Sequence, residues 1–331
     1  MKACIIGGGS WGSAFSLHLG RLKVRTKLWV READIFETLL KTRENKTFLP
    51  GHVFPDPVSF YHDLPEAVVS TEFLFVAVPS QFCRDLYAEI APYLSADQIV
   101  ISLTKGLEQK SLMRMSQVME EVFHPYRKPR LVVLSGPSFA KEVALGNPTA
   151  VVVASRDPEC ARKVQHLISS LALRAYTSSD VTGVEIGGAL KNVVAIAAGI
   201  SDALDCGMNS KAALITRGLV EMTRLGTQLG ARRETFSGLA GIGDLILTCM
   251  GELSRNHYVG FELGKGRSLR AILSRMKMVA EGVRTTLSAH NLARREGVEM
   301  PISEQVYHVI YRNRSPRKAI EDLMSRALKQ E

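Results

Sequence analysis

Short apolar runs alternate with segments of helical period from the start of the chain to about Ser178. This alternation is typical of a parallel α/β sheet. The runs are rich in Val and Ile and lack polar alternation, so both faces of the sheet are expected to be covered. The predicted strands are Lys2–Ile6, Thr26–Val30, Phe73–Val78, Ile99–Leu103, Leu131–Ser135, Ala150–Ala154 and Leu173–Thr177, with a weaker one near Val58–Tyr61.

From about Asp180 onward the pattern predicts helices and no further strands. A chain of 331 residues also suggests two domains, because one core seldom grows beyond ~250–300 residues. We therefore predict an N-terminal Rossmann domain, a doubly wound and mainly parallel sheet, over residues 1–180, and an all-α domain over 181–331. The predicted helices are Val181–Ile200, Ser210–Leu229, Arg255–Leu263, Leu269–Met276 and Val283–Glu296, with more after Ser303.

The first predicted strand runs directly into a glycine motif, Gly7-x-Gly9-x-x-Gly12. A GxGxxG between a first strand and a first helix is where a dinucleotide pyrophosphate binds, at the helix N-terminus. The motif alone is weak, and a glycine-rich turn without chemical meaning is the alternative. Its position favours the dinucleotide site.

The residue after the second predicted strand bears on which nicotinamide cofactor is used. An acidic residue there selects NAD, but this chain has Arg31, followed by Glu32. An arginine can pair with the 2′-phosphate of NADP. NADPH is therefore favoured, NADH is allowed, and a solvated loop role for Arg31 is the alternative.

Composition narrows the class of protein. The net charge of +9 invites a nucleic-acid interpretation, but the basic residues are dispersed and their densest cluster, at 126–130, accompanies no nucleic-acid motif. Phosphorylated small ligands explain the charge without nucleic acid. The cysteines have no zinc-like spacing, so free thiols and no metal site are expected. The longest apolar stretch, Ile186–Ile200, carries Lys191, and neither a transmembrane segment nor a signal sequence is expected; the protein is predicted to be cytoplasmic.

Two predicted strands end in residues suited to ligand binding. The first is followed by Lys105, and the second by a turn with Gly136 and Ser138. Carboxyl ends of parallel strands form the ligand crevice, so these groups are expected to face it.

A lysine, Lys191, stands in the middle of an apolar, small-residue helix. Burying it is costly unless it faces a partner or a cavity, and snorkelling to solvent is the alternative. A desolvated lysine near another cation, such as Lys105, would have a lowered pKa and could act as a general acid–base.

Further along, a glycine-dense turn delivers Asp244, and Ser254, Arg255 and Asn256 begin a helix. A helix N-terminus with an adjacent arginine suits a phosphate. A simple N-cap is the alternative role for Ser254.

In order along the chain, these segments closely resemble the bacterial NAD(P)-dependent glycerol-3-phosphate dehydrogenases. The matching segments are GGGSWG at 7–12, AVPSQ at 77–81, SLTKGLE at 102–108, LSGPSFAKEV at 134–143, GALKNVVAIAAGI at 188–200, KAALITRGL at 211–219, GLAGIGDLILTCMGELSRN at 238–256 and VAEGVRT at 279–285.

The resemblance implies reversible hydride transfer between a nicotinamide and dihydroxyacetone phosphate, giving sn-glycerol 3-phosphate for phospholipid synthesis. Lys191 would be the catalytic proton donor and acceptor. The resemblance allows a homodimer and leaves the oligomeric state open. Substrate would be bound by Lys105, Gly136, Ser138, Lys191, Asp244, Ser254, Arg255 and Asn256. The cofactor would be bound by Gly7, Gly9, Ser10, Trp11, Gly12, Arg31, Lys105, Ala140, Arg255, Val279 and Glu281.

One loop departs from the family pattern. Ala203 and Asp205 stand where glycines are common, and Met208 where an acidic residue is usual. This departure puts the loop's conformation in doubt.

Three other functions stay open: a dehydrogenase for another hydroxy substrate, a non-catalytic NADP(H) sensor, and a nucleic-acid-binding protein. The block around Lys191 with the segment 254–256 argues against the first two, and only net charge favours the third.

Overall fold

Eight strands form one sheet in the computed structural model, which describes residues 2–126, 128–276, 278–328 and 330. Their spatial order is β3-β2-β1-β4-β5-β6-β7-β8, and neighbours are parallel except for the antiparallel pair β6 and β7. The predicted doubly wound, mainly parallel sheet is thus confirmed, including its weaker strand. The strands are β1 Lys2–Ile6, β2 Arg25–Trp29, β3 Val58–Tyr61, β4 Phe73–Val76, β5 Ile99–Ser102, β6 Arg130–Ser135, β7 Thr149–Ala154 and β8 Leu173–Ser178. Arg127, in the predicted basic cluster, lies outside the described residues.

Alternate residues of β1 show that both faces of the sheet are covered. Ala3 and Ile5 belong to one apolar core, whereas Cys4 and Ile6 belong to another. Helices that connect the parallel strands supply these layers. They are α1 Ser10–Arg21, α2 Ala33–Thr42, α3 Leu64–Val68, α4 Cys83–Ile90, α5 Met115–Phe123, α6 Ala140–Leu145 and α7 Pro158–Ile168, with 3₁₀ turns at Ser80–Phe82 and Ala91–Tyr93.

Nine α-helices and one π-helical turn follow β8 in the described part of the chain. The glycine-dense turn predicted at 238–245 is helical instead: a π turn covers Leu239–Gly243, and helix α11 continues from Asp244. The helices are α8 Val181–Ala203, α9 Gly207–Gln228, α10 Arg233–Phe236, α11 Asp244–Met250, α12 Arg255–Gly264, α13 Leu269–Arg275, α14 Glu281–Arg295, α15 Pro301–Tyr311 and α16 Pro316–Met324, and the π turn is Leu239–Gly243.

The chain divides into two compact units. The sheet unit runs to Lys105 and continues from Met113 to Glu185, and the helical unit consists of Gly106–Leu112 and Ile186–Glu331. The division falls inside α8, and a short segment between β5 and α5 belongs to the helical unit. The boundary predicted at 180/181 stays a prediction.

Helix α8 is long and apolar enough by composition to cross a membrane, but 94% of its most apolar window is buried within the protein. Such burial is what the core helix of a helical domain shows. The segments Arg233–Met250 and Arg255–Gly264, which are bent by 49° relative to each other, are also long and apolar enough when they are taken together.

Helices α8 and α12 pack with their backbones in contact. A Cβ added to Gly199 would lie 2.0 Å from the carbonyl oxygen of His257, and one added to Gly260 would lie 1.9 Å from that of Ile196. At Gly264 an added Cβ would lie 2.6 Å from the Cβ of Ala203. Glycine is therefore required at this crossing for the approach itself, with no demand on φ.

We expect Gly260→Ala to lower the free energy of unfolding by roughly 3 kcal/mol, because the methyl group must push two helices apart. Urea denaturation followed by circular dichroism measures the change. Gly238→Ala is the control, since its Cβ would meet its nearest neighbour at 3.4 Å, and it should stay within about 0.5 kcal/mol of the parent. Equal stabilities of the two variants would contradict the packing argument.

Candidate active site

The glycine loop is shaped by two glycines and left open at the third. Gly7 has φ +119, and a Cβ added to it would lie 2.7 Å from the carbonyl oxygen of Ala77. A Cβ on Gly12 would lie 2.0 Å from the carbonyl oxygen of Gly7. A Cβ on Gly9 would meet nothing within 4 Å. Gly7 and Gly12 are thus needed by the turn, whereas Gly9 leaves space over the loop.

A buried asparagine that the sequence analysis missed holds this loop. The amide of Asn45 donates to the carbonyl oxygen of Gly8 at 2.7 Å and to Oγ of Ser13 at 2.9 Å. Ser13 Oγ in turn donates to the same carbonyl at 3.2 Å. Asn45 lies in the connection between α2 and β3, and nothing in its local sequence marks it.

The first turn of α1 carries the polar groups expected of an anion site. Its N-cap is Gly9, which has no side chain to accept from the first N–H groups. Nε1 of Trp11 is buried with no hydrogen-bond partner among the described residues. Ser10 donates through Oγ to the carbonyl oxygen of Phe48 at 2.8 Å. An open loop, backbone donors and an orphaned indole N–H fit a dinucleotide.

Arg31 lies two residues beyond the end of β2 and is exposed. Glu32 beside it is the N-cap of α2 and is also exposed. The guanidinium is therefore in the position where a Rossmann domain meets the adenosine ribose.

Lys105 and the turn after β6 come together as predicted. Nζ of Lys105 donates to the carbonyl oxygen of Gly136 at 2.8 Å and to Oγ of Ser138 at 3.4 Å. Gly136 has φ +124, a conformation that favours glycine. Two residues beyond Ser138, Ala140 begins α6, whose N-cap Phe139 contributes no side-chain acceptor.

The lysine of α8 is buried and paired. Lys191 is 6% exposed, and Asp244 is 0% exposed. The Lys191 ammonium donates to Oδ1 of Asp244 and, at 3.0 Å, to Oγ1 of Thr248. Thr248 Oγ1 donates to the backbone oxygen of Asp244 at 2.6 Å. Snorkelling is therefore excluded for Lys191. Thr248 was missed, although its spacing of four residues from Asp244 would place both on one helix face.

The pKa of a buried thiol, Cys249, is affected by the charges around this pair. Burial raises the pKa of Cys249 to about 12, with Lys191 and Lys211 acting to lower it and Asp202 and Asp244 to raise it. Two ion pairs are thus within electrostatic reach of one sulfur atom.

The first turn of α12 holds the predicted phosphate residues. Ser254 is the N-cap, and its Oγ accepts from the N–H of His257 at 3.2 Å, so the simpler role proposed for it is present. Asn256 is buried; it donates to Oδ1 of Asn192 at 2.8 Å and accepts from the N–H of Gly282 at 2.9 Å.

Arg255 points differently from its neighbours and is exposed as a residue. The protein around its guanidinium still lowers the pKa of Arg255 by desolvation, and the Glu281 carboxylate acts to raise it. Glu281 begins α14, and Val279 lies partly exposed just before it. The charges of Arg255 and Glu281, at the start of two helices, are therefore within electrostatic reach of each other.

The predicted site residues thus form several clusters, and each cluster lies inside one of the two compact units. The sheet unit brings together the glycine loop, and separately the set Lys105, Gly136 and Ser138. The helical unit brings together Lys191 with Asp244, and Asn256 with the start of α14. Among the described residues no group of three or more His, Cys, Asp or Glu side chains is placed to hold a metal ion.

The loop that departs from the family pattern keeps a glycine-like backbone. Asp205 adopts φ +53, and Gly207 adopts φ +81. Aspartate tolerates this left-handed region better than most residues. The substitution of aspartate for glycine therefore preserves the turn between α8 and α9, and Met208 stands exposed at the start of α9.

Comparison with known proteins decides the family. Residues 2–161 match the family described as NAD-dependent glycerol-3-phosphate dehydrogenase N-terminus, and residues 180–321 match its C-terminus. The chain belongs to this family. A glycerol-3-phosphate dehydrogenase (NAD(P)+) of Geobacter sulfurreducens is 51% identical over 327 residues, which cover 99% of this chain and 98% of that protein. One from Syntrophotalea carbinolica is 49% identical over 331 residues, covering 100% and 99%.

Solved structures agree with that assignment. Glycerol-3-phosphate dehydrogenase from Coxiella burnetii superposes with a TM-score of 0.95 at 35% identity, covering 98% of this chain and 99% of that one. A D-mandelate dehydrogenase shares only the fold, with a TM-score of 0.65 at 13% identity over 97% of this chain and 100% of that one. The fold alone therefore does not choose the substrate, whereas the family does.

The glycine loop yields a matched pair of variants. We expect Gly9→Ala to melt within a few degrees of the parent, because its methyl group enters open space. It should weaken NADPH binding at least tenfold, since that space is where a pyrophosphate approaches. Fluorescence titration of NADPH and thermal melting measure the two effects.

Gly12→Ala, in contrast, should lower the stability of the protein, since its methyl group would collide with the backbone of Gly7. A loss of roughly 3 kcal/mol in unfolding free energy is expected. Tight NADPH binding by Gly9→Ala would remove the loop from the cofactor site.

Proposed function

We propose that this chain catalyses reversible hydride transfer between NAD(P)H and dihydroxyacetone phosphate, giving sn-glycerol 3-phosphate. Its family makes it an NAD(P)-dependent oxidoreductase of glycerophospholipid metabolism. The observation that carries the proposal is the buried Lys191–Asp244 pair on α8 and α11. A cofactor-sensing protein would need the glycine loop but not a buried ammonium.

The cofactor roles rest on the fit of the glycine loop and on the family motifs. The first turn of α1 would bind the pyrophosphate through its backbone N–H groups. Arg31 would pair with the 2′-phosphate of NADPH. The full set that we assign to the cofactor is Gly7, Gly9, Ser10, Trp11, Gly12, Arg31, Lys105, Ala140, Arg255, Val279 and Glu281.

The substrate roles rest on the contacts within each unit. Arg255 and the N-terminus of α12 would hold the phosphate, because the guanidinium is a cation and a helix N-terminus carries a partial positive charge. Lys105 lies against Gly136 and Ser138 and would bind the polar remainder of the substrate. The full set that we assign to the substrate is Lys105, Gly136, Ser138, Lys191, Asp244, Ser254, Arg255 and Asn256.

Lys191 would act as the proton donor in the reductive direction. When bound, NADPH supplies the hydride that adds to C2 of the ketone. Negative charge then develops on the C2 oxygen, and the Lys191 ammonium would stabilise it and donate a proton to it. Asp244 favours the charged ammonium and, with Thr248, fixes its direction. In the oxidative direction the neutral amine would accept the proton from the alcohol.

We also propose that the protein works in the cytoplasm and that a homodimer is its assembly. The composition supports the first proposal, and the second is an assembly that the family resemblance allows. Gel filtration with light scattering tests the dimer.

Lys191→Ala should lower kcat by about 10²–10⁴-fold, the typical loss on deleting a general acid–base. The measurement is NADPH oxidation at 340 nm with dihydroxyacetone phosphate as substrate. Because the substitution leaves Asp244 buried without its partner, some loss of stability is expected. Lys191→Arg therefore accompanies it: the guanidinium keeps the charge, yet it does not release a proton near neutral pH.

Both variants should still bind NADPH, which a fluorescence titration checks. Lys163→Ala, at an exposed lysine of α7, is the control and should leave kcat unchanged. Normal turnover by either Lys191 variant would remove this lysine from the reaction. Absence of turnover by the parent protein would refute the proposed function.

Arg31→Ala should raise the KM for NADPH about tenfold and leave the KM for NADH nearly unchanged, because only NADPH carries the 2′-phosphate. Steady-state kinetics with each cofactor give both values. Arg25→Ala, at an exposed arginine that begins β2, is the control. An unaltered preference in Arg31→Ala would show that Arg31 is a solvated loop residue.

A further inference from the structure

A second charge cluster, partly buried, lies in the helical unit, apart from the Lys191–Asp244 pair. Oδ2 of Asp202 accepts from Nζ of Lys211 at 2.7 Å and from Nε2 of His257 at 2.7 Å. The three side chains are 25%, 14% and 19% exposed, respectively. Asp202 lies near the end of α8, Lys211 in the first turns of α9, and His257 in the first turn of α12. One carboxylate therefore joins three helices.

The cluster is joined directly to the proposed phosphate site. His257 follows Arg255 and Asn256 in the chain, and its N–H donates to the N-cap Ser254. A rotation of α12 about its axis would move the His257 ring and the Arg255 guanidinium together. Asp202 is on the same helix as Lys191. Its bond to His257 therefore links the position of the proposed phosphate site on α12 to the helix that carries the proposed proton donor.

Such a bond lies beside the glycine crossing of α8 and α12. Side chains normally form ridges that fit into grooves and set the angle between two helices. At Gly199 and Gly260 there is no ridge, and the backbones touch directly. Without interlocking side chains at these two positions, we infer that other contacts must set the rotation of α12 on α8. Directional hydrogen bonds at Asn256–Asn192 and His257–Asp202 supply what the glycines do not.

We propose that Asp202, through His257, is a positioning residue that sets the rotation of α12 and hence the affinity of the site for the substrate phosphate. The inference rests on the proposed function. Lys211 donates to the same oxygen of Asp202 as His257 does, and we assign to it a contribution to charge balance.

Asp202→Asn and His257→Gln test the proposal. Each should raise the KM for dihydroxyacetone phosphate about tenfold, the scale of losing a hydrogen bond to a charged group. Each should change kcat less than threefold and raise the KM for NADPH less than the KM for dihydroxyacetone phosphate, because the phosphate contact of α12 serves the substrate and Arg255 alone is also assigned to the cofactor. The double variant should be no worse than the more impaired single variant, because both remove one interaction. A fall in kcat at constant KM, or a parallel rise in the KM for NADPH, would overturn the positioning role.

Two control variants separate positioning from charge and from general stability. Lys211→Met keeps the bond between Asp202 and His257, and should change the KM for dihydroxyacetone phosphate less than threefold. Asp322→Asn removes a carboxylate of matched exposure, 23%, from a pair with Arg314 elsewhere in the helical unit. It should leave all kinetic constants unchanged. An effect of Lys211→Met equal to that of Asp202→Asn would assign the role to charge and overturn the proposal.

Binding of inorganic phosphate, measured by calorimetry, makes the inference independent of turnover. The parent protein should bind phosphate, and Asp202→Asn should bind it about tenfold more weakly. If phosphate affinity falls in this way but the parent does not reduce dihydroxyacetone phosphate, the proposed reaction fails and the positioning role stands. If parent and variant bind phosphate equally, or the parent does not bind it, the positioning role fails whatever the enzyme's activity.

Discussion

The buried ion pair between Lys191 and Asp244 is the constraint around which the helical unit is arranged. A single charge in this apolar core would cost several kcal/mol, and a pair is tolerated only when further hydrogen bonds complete it. Thr248 completes it, by accepting from the ammonium and donating to the backbone of Asp244. Asp244 directly follows the π turn Leu239–Gly243, and the backbone is helical through Gly243 into α11. The ion pair therefore joins α8 to the helical segment formed by the π turn and α11.

Small residues around the pair have a second consequence, which is close packing. Gly260 admits the backbone of α8, and a Cβ on Gly282 would lie 2.6 Å from the carbonyl oxygen of Asn192 and 2.8 Å from Oδ1 of Asn256. Two helices, α12 and α14, thus converge on one side of α8 next to Lys191. Because α8 is covered by neighbours all round, it shows little amphipathic periodicity, and its composition resembles that of a membrane span.

The sheet could be predicted from the sequence nearly residue by residue, because continuous Val- and Ile-rich runs between glycine-containing turns have few other structures. Lys191 could also be singled out from the sequence, because a lysine in the middle of an apolar helix needs a partner. Its partner Thr248 and the loop clamp Asn45 could not, because their roles depend on contacts between distant segments. Helix α11 was missed since three glycines precede Asp244 within seven residues, and glycine usually signals a turn.

Consecutive residues of a helix point about 100° apart, and the first turn of α12 uses that fact. Asn256 faces α8 and α14, His257 reaches Asp202, and Arg255 is left exposed. Ser254 closes the turn by capping it. Within these four residues, the side chains of Asn256 and His257 contact the rest of the helical unit. The same turn presents the Arg255 guanidinium and the backbone N–H groups of the helix N-terminus to the proposed phosphate site. Packing and ligand affinity cannot vary independently in such a turn, because any shift that relieves one displaces the other.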